Sequence, residues 1–156
     1  MSTSHIWLKW LHIISSTILF GMGAGIAFFF LRAQRTGNVQ VIAAVARDVV
    51  LADALFTATA VVIQPTTGIA LALFAGYPLS APWLCCSILL YAIVGCCWLP
   101  VVWLQIRMKR LAESAARTDT PLPPEYHRYL RWWFGLGWPA FLGVLGIFYL
   151  MVAKPV

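Results

Sequence analysis

Residues 6–31 read IWLKWLHIISSTILFGMGAGIAFFFL, an apolar run interrupted by one lysine and one histidine. A helix needs about 20 apolar residues to cross the hydrocarbon core of a bilayer, and this run exceeds that length. No basic segment precedes it and no small-residue cleavage site follows it, so we expect a retained span and not a removed signal peptide. The run therefore predicts an integral membrane protein.

Three further apolar stretches occupy residues 51–75, 83–105 and 132–152. The whole chain is 62% hydrophobic and 10% charged, whereas soluble domains average roughly 45–50% apolar and about 25% charged residues. The connections are too short to hold a soluble domain. We therefore predict an all-α, four-helix transmembrane bundle in which residues 1–156 form a single integral membrane domain.

The basic residues predict the orientation of the bundle. Lys and Arg collect in cytoplasmic loops, and residues 76–82 carry no charge. We therefore expect both termini outside (N-out, C-out) in a bacterial inner, or cytoplasmic, membrane. Anionic headgroups of the lipid bilayer account for the net charge of +6, so no nucleic-acid partner is expected. The clustered cations are Arg32, Arg35 and Arg47 in the first connection and Arg107, Lys109, Arg110, Arg117, Arg128 and Arg131 in the third.

Helix boundaries and packing residues can also be predicted. A helical pattern resumes near Val39, Pro65 interrupts it, and the neighbouring Thr66 and Thr67 can bond the freed backbone groups. The third helix should continue to about Arg117, before a proline-rich break.

Small residues in the spans suggest close packing. Gly21 and Gly25 form a small-x-x-x-small step that lets helices approach closely, within the chain or in a homo-oligomer. The vicinal cysteine pairs at 85–86 and 96–97 are interpreted as small apolar packing residues and not as metal ligands.

A first row of polar residues lies on the first span. Its members are spaced by 4, 3 and 4 residues, which places them on one helical face, and ionisable groups in a span normally face the bundle interior. His12 has three interpretations: a hydrogen bond to a facing helix, ligation of haem iron, or proton transfer. Lys9 either reaches the outer surface or holds an anionic group such as a haem propionate. The row comprises His5, Lys9, His12 and Ser16.

A second row, Asp53, Thr57, Gln64 and Thr67, follows one face of the second span. Gln64 should lie at the depth of His12, where its amide either lines a pocket or bonds a neighbouring helix. For Asp53 we favour an ion pair at the helix end over a proton relay. Its candidate partners are Arg32, Arg107 and Arg131.

The segment WLKWLH at residues 7–12 resembles the W-x-K-x-x-H opening of the HemJ-type protoporphyrinogen oxidases, and the copper-resistance D-type membrane proteins are similar in outline. The resemblance implies that His12 contacts haem and that Lys9 is its accompanying cation. HemJ-type proteins carry a further Lys and His on the helix after their second hairpin, and residues 83–98 contain neither. Protoporphyrinogen oxidation is therefore not carried over.

Over nearly its whole length the chain resembles an uncharacterised bacterial family of predicted four-span integral membrane proteins. Besides the first span, the segments that carry this likeness are ARDVVLAD at 46–53, QPTTG at 64–68, WLPVVW at 98–103 and GWPA at 137–140.

The leading hypothesis for function is a membrane redox protein with b-type haem. His12 would ligate the iron, Lys9 would hold a propionate and Gln64 would line the pocket, with a quinone or a porphyrin among the possible ligands. The catalytic residues are not predicted. One alternative is a non-catalytic subunit that stabilises a membrane complex, and a weaker one is a small transporter.

Overall fold

The computed structural model describes residues 3–155, and this range is helical without any β-strand. The prediction of an all-α chain is therefore confirmed. In chain order the elements are α1 (Thr3–Gln34), α2 (Val39–Ala52), a π-helical turn (Asp53–Thr57), α3 (Ala58–Phe74), α4 (Pro82–Thr118) and α5 (Pro124–Ala153).

The helix boundaries follow local signals in the sequence. Asn38 caps α2, because its side chain accepts hydrogen bonds from the backbone N–H groups of Gln40 (2.9 Å) and Val41 (3.3 Å). Gly37, just before it, has a φ of 63°, which glycine adopts without steric cost. The start of the second helix at Val39 and the extension of α4 beyond Arg117 are both as predicted.

Three helices, α1, α4 and α5, are long and apolar enough to cross a membrane. The second apolar stretch is divided by the π-helical turn, which leaves 17 residues in α3. Large apolar side chains such as Phe28, Val62 and Leu89 are exposed on the outside of the bundle. Such a surface suits contact with lipid, and the chain has the features of a helical membrane bundle.

The larger of two buried clusters lies at one end of the bundle, and a smaller one, with Trp83 and Leu84, lies at the other. We call the end with the larger cluster, which carries connections 35–38 and 119–123, the basic end, and the opposite end, with connection 75–81, the hairpin end. At the basic end Phe30, Met108 and Tyr126 are fully buried. Gln34 Nε2 donates to Tyr126 Oη over 2.7 Å. This hydrogen bond joins α1 to α5 among fully buried side chains.

Two predictions about packing are wrong within this chain. A Cβ atom added at Gly21 or Gly25 would meet nothing within 4 Å, so neither glycine mediates a close helix contact here. The cysteines Cys85, Cys86 and Cys96 are exposed and do not fill the interior. The close approach lies between α4 and α5, where a Cβ at Gly143 would be 2.5 Å from a methyl group of Val94.

Candidate functional site

Four polar side chains meet between α1 and α3, and we call them the polar seam: His12, Ser15, Gln64 and Thr67. His12 Nδ1 lies 2.8 Å from Thr67 Oγ1. Ser15 Oγ donates to Gln64 Oε1 over 2.9 Å. The seam contains two of the three predicted cofactor-binding residues, His12 and Gln64. It joins two antiparallel helices at the same depth, as the sequence predicted for Gln64 and His12.

The contacts of Thr67 accommodate a His12 tautomer with its proton on Nδ1. The Thr67 hydroxyl has one proton, and its oxygen lies 2.7 Å from the carbonyl oxygen of Ile63, one turn earlier in α3. When the hydroxyl donates to that carbonyl, its oxygen accepts the proton of His12 Nδ1. The imidazole then keeps its lone pair on Nε2, which is the arrangement of a histidine that serves as a metal ligand.

The ring of His12 packs on a glycine. A Cβ atom at Gly68 would lie 3.1 Å from His12 Cε1, so any larger residue would push the imidazole away from Thr67. Lys9 lies one helical turn before His12, and its side chain is exposed. The prediction for Ser16 is wrong: Ser16 bonds the carbonyl of Ile13 on its own helix. The buried Ser15 takes its place in the seam.

The kink residue Pro65 has an unexpected partner. Proline lacks an N–H group, so the carbonyl of Val61, four residues earlier, loses its helical hydrogen bond. Tyr91 on α4 donates its hydroxyl to that carbonyl over 2.6 Å. Thr66 and Thr67 bond other carbonyls, those of residues 62–64. The prediction that these threonines replace the missing bond is therefore wrong for Val61.

A second site lies in the middle of the bundle, where α1, α4, α5 and the π-helical turn surround a cavity of about 380 Å³. Its wall is mainly apolar and aromatic. We call it the central cavity. Residues that line it include Phe20 and Gly23 from α1, Asp53, Thr57 and Val61 from the second stretch, Tyr91, Gly95, Trp98 and Gln105 from α4, and Trp133, Gly137, Trp138 and Phe141 from α5.

Asp53 is the acidic group of the central cavity, and it is buried. Trp98 Nε1 donates to its Oδ1 over 3.4 Å. The side-chain amide of Gln105 lies between Asp53 and Trp133, and one orientation of the amide makes a hydrogen bond to each. In that orientation Gln105 Nε2 donates to Asp53 Oδ2 over 3.2 Å, and Gln105 Oε1 accepts from Trp133 Nε1 over 3.2 Å. The predicted ion pair is wrong, because the one salt bridge among residues 3–155 joins Arg107 and Glu125 (3.8 Å).

Thr57 completes this group. Thr57 as a whole residue is 6% exposed. Its hydroxyl lies beside Asp53 and makes no hydrogen bond of good geometry to any of the described residues. The predicted row of four polar residues is thus divided: Asp53 and Thr57 line the central cavity, whereas Gln64 and Thr67 belong to the polar seam. Asp53 and Thr57 are the first and last residues of the π-helical turn, and π-helical turns often occur at functional sites.

The comparison with protein families gives one result. Residues 6–155 match the family described as predicted integral membrane protein (DUF2269). The chain belongs to this family. No curated protein matches the chain, and no solved structure matches it.

Membership confirms that the chain is a multi-pass integral membrane protein, and it confirms the resemblance to a family of predicted membrane proteins. Within residues 3–155 no three His, Cys, Asp or Glu side chains converge as a metal cluster would require.

Proposed function

We propose that this protein spans a bacterial cytoplasmic membrane four times and binds one b-type haem through His12 as part of a redox reaction. The second span in this proposal is the continuous helical stretch formed by α2, the π-helical turn and α3. The observation that supports the haem proposal is the 2.8 Å contact of His12 Nδ1 with Thr67 Oγ1, since a threonine that accepts the Nδ1 proton leaves Nε2 able to bind iron.

The residues fit a haem with one protein ligand. Gly68 has no side chain, so the imidazole of His12 can pack directly against α3. Ser15 donates a hydrogen bond to Gln64 and fixes its amide near His12. Lys9 is exposed one turn nearer the hairpin end, where an ammonium group can reach a propionate. Bound haem would supply one-electron chemistry. The residues of the chain would orient His12 as the iron ligand and would hold the haem site within the apolar part of the membrane. A quinone or a porphyrin is the proposed class of reaction partner.

The test is an absorption spectrum of the detergent-purified protein, air-oxidised and then reduced with dithionite, together with a pyridine haemochrome assay. We expect a Soret band at a stoichiometry close to one haem per chain. His12→Ala should abolish it. Thr67→Val should lower haem affinity by roughly 10- to 100-fold, as loss of a partner that orients a ligand does.

The matched control is His127→Ala, because His127 is exposed at the basic end, far along the sequence from the seam. This variant should retain the full Soret band. A flat spectrum from wild-type protein expressed with added haem would contradict the proposal, and so would full haem content in His12→Ala.

A second candidate is a non-catalytic subunit that stabilises a larger membrane complex or a homo-oligomer. The observation that favours it is that the seam's side chains bond helix to helix, as Ser15 and Gln64 do. This function predicts no chromophore, co-purification with a partner and tolerance of His12→Gln, whose amide can still donate to Thr67.

A further inference from the structure

The central cavity places a carboxyl group in hydrocarbon without a cation. No Lys, Arg or His is among the described residues that line it, and the donors that reach Asp53 are the neutral side chains of Trp98 and Gln105. A buried carboxylate without a positive partner is costly, and intramembrane ionisable residues pair with one another or mark a ligand pathway. A cation bound in the cavity would therefore stabilise the ionised form of Asp53, which has only neutral donors within the chain.

Thr57 provides an independent sign of a ligand. Its hydroxyl is buried beside Asp53, lines the same cavity and makes no hydrogen bond of good geometry to the described residues, the Asp53 carboxylate included. An unpaired buried hydroxyl costs about 1–3 kcal/mol. A donor placed between Asp53 and Thr57 would satisfy both oxygen atoms at once.

The other side chains of the cavity wall favour a cation that has an apolar body. Indole and phenyl rings from three helices face the cavity, and their π faces attract positive charge. Gly23, Gly95 and Gly137 carry no side chain that would fill the space. The volume of about 380 Å³ falls within the range of roughly 300–1,000 Å³ typical of small-molecule sites. Aromatic rings that line the cavity include Phe20, Tyr91, Trp98, Trp133, Trp138 and Phe141.

We infer that the central cavity binds an amphipathic organic cation, a primary or secondary amine with an aromatic or branched apolar body. The ammonium group donates hydrogen bonds to the Asp53 carboxylate and to Thr57 Oγ1, and the apolar body lies among the aromatic side chains. This site is separate from the polar seam, because His12 does not line the cavity. It does not depend on haem.

The test is isothermal titration of nanodisc-embedded protein with two probes that share a ring system. The probes are 1-naphthylmethylammonium and the neutral 1-naphthalenemethanol, and titrations of protein-free nanodiscs are subtracted to remove partitioning into lipid. We expect the amine to bind at least ~10-fold more tightly than the alcohol, because only the amine pairs with the carboxylate. Equal affinities, or no binding of either probe beyond the lipid background, would overturn the inference.

Variants identify the binding groups. Asp53→Asn should weaken amine binding at least ~10-fold while the affinity of the alcohol changes little, because the amide keeps the shape of the side chain and loses its charge. Thr57→Val, which is nearly isosteric, should weaken amine binding while Thr57→Ser retains it. His127→Ala is the control, because His127 is exposed and does not line the cavity; it should leave both affinities unchanged.

Folding of each variant is checked by size-exclusion chromatography and thermal unfolding. If Asp53→Asn does not fold, the Thr57 pair decides the outcome. Amine binding that is the same in Thr57→Val as in Thr57→Ser, or the same in a folded Asp53→Asn as in wild type, would overturn the assignment of the ammonium to these two residues.

Discussion

At the scale of single residues, Gly143 is a position where a methyl group would collide with a neighbour. A Cβ atom there would lie 2.5 Å from Val94 Cγ2 across the contact of α4 with α5. Overpacking of this kind typically costs about 1–3 kcal/mol. We expect Gly143→Ala to lower the free energy of unfolding by that amount, measured by reversible unfolding in mixed detergent micelles with increasing dodecyl sulfate.

Gly146, one turn further along α5, is the matched control. A Cβ atom there would lie 3.4 Å from Leu90 Cδ1, which is an ordinary contact. Alanine also favours helix over glycine by about 1 kcal/mol, so Gly146→Ala should leave stability unchanged or raise it slightly. Equal destabilisation by the two substitutions would show that Gly143 has no special close contact.

The polar residues show how far single positions can be predicted from the sequence. The pairing of His12 with the second stretch was predictable, because an imidazole in a span must find a partner and Gln64 and Thr67 lie at its depth. The hydrogen-bond partners of Asp53 could not be predicted from the sequence. Its donors Trp98 and Gln105 come from α4, and Trp133 of α5 donates to Gln105. Indole groups in apolar segments suggest lipid anchors as readily as hydrogen-bond donors.

At the scale of elements, the second stretch is stabilised where proline interrupts it. Tyr91→Phe removes the hydroxyl that bonds the carbonyl of Val61 and leaves this carbonyl without its donor. Hydrogen bonds between membrane helices contribute about 0.6 kcal/mol on average and up to about 1.7. We expect Tyr91→Phe to reduce the free energy of unfolding by about 1 kcal/mol in the same unfolding measurement.

The control is the double-mutant cycle with Pro65→Ala. Alanine at position 65 restores the N–H group that can bond the Val61 carbonyl within the helix. Tyr91→Phe should then cost less than half as much as it does in the presence of proline. An equal cost in both backgrounds would mean that Tyr91 contributes to stability through packing and not through this bond.

The π-helical turn is the feature of the second polar row that the sequence did not predict. Periodicity at 3.6 residues per turn placed Asp53, Thr57, Gln64 and Thr67 on one face, and this holds only for an uninterrupted α-helix. At Asp53–Thr57 the helix has a wider turn, closed by a hydrogen bond from the N–H of Ala58 to the carbonyl of Asp53. Thr57 and Gln64 are separated by roughly 10 Å along the α-helix that follows, so the row contributes to two sites. The sequence contains the polar residues, but no local signal marks the wider turn.

At the scale of the whole molecule, the predicted orientation depends on the distribution of charge between the two ends. The larger buried cluster, the capped turn at Asn38 and the extension of α4 to Thr118 lie at the basic end, together with the arginine-rich connections. The hairpin end has a smaller buried cluster and a short, uncharged connection. Because Lys and Arg collect in cytoplasmic loops, the prediction stays that the basic end faces the cytoplasm.

Cysteine accessibility tests this orientation. The four native cysteines are first replaced. Ser80→Cys then introduces a thiol at the hairpin end, and Ser114→Cys introduces one at the basic end. Both serines are exposed. A membrane-impermeant maleimide should label position 80 in intact spheroplasts and position 114 only after permeabilisation. Each variant is the control for the other, since permeabilised cells must label both. Labelling of position 114 in intact spheroplasts would show that the orientation is the reverse of the predicted one. The polar seam would then lie on the cytoplasmic side of the membrane, and Lys9 would face the anionic lipids of the inner leaflet and not an external anion.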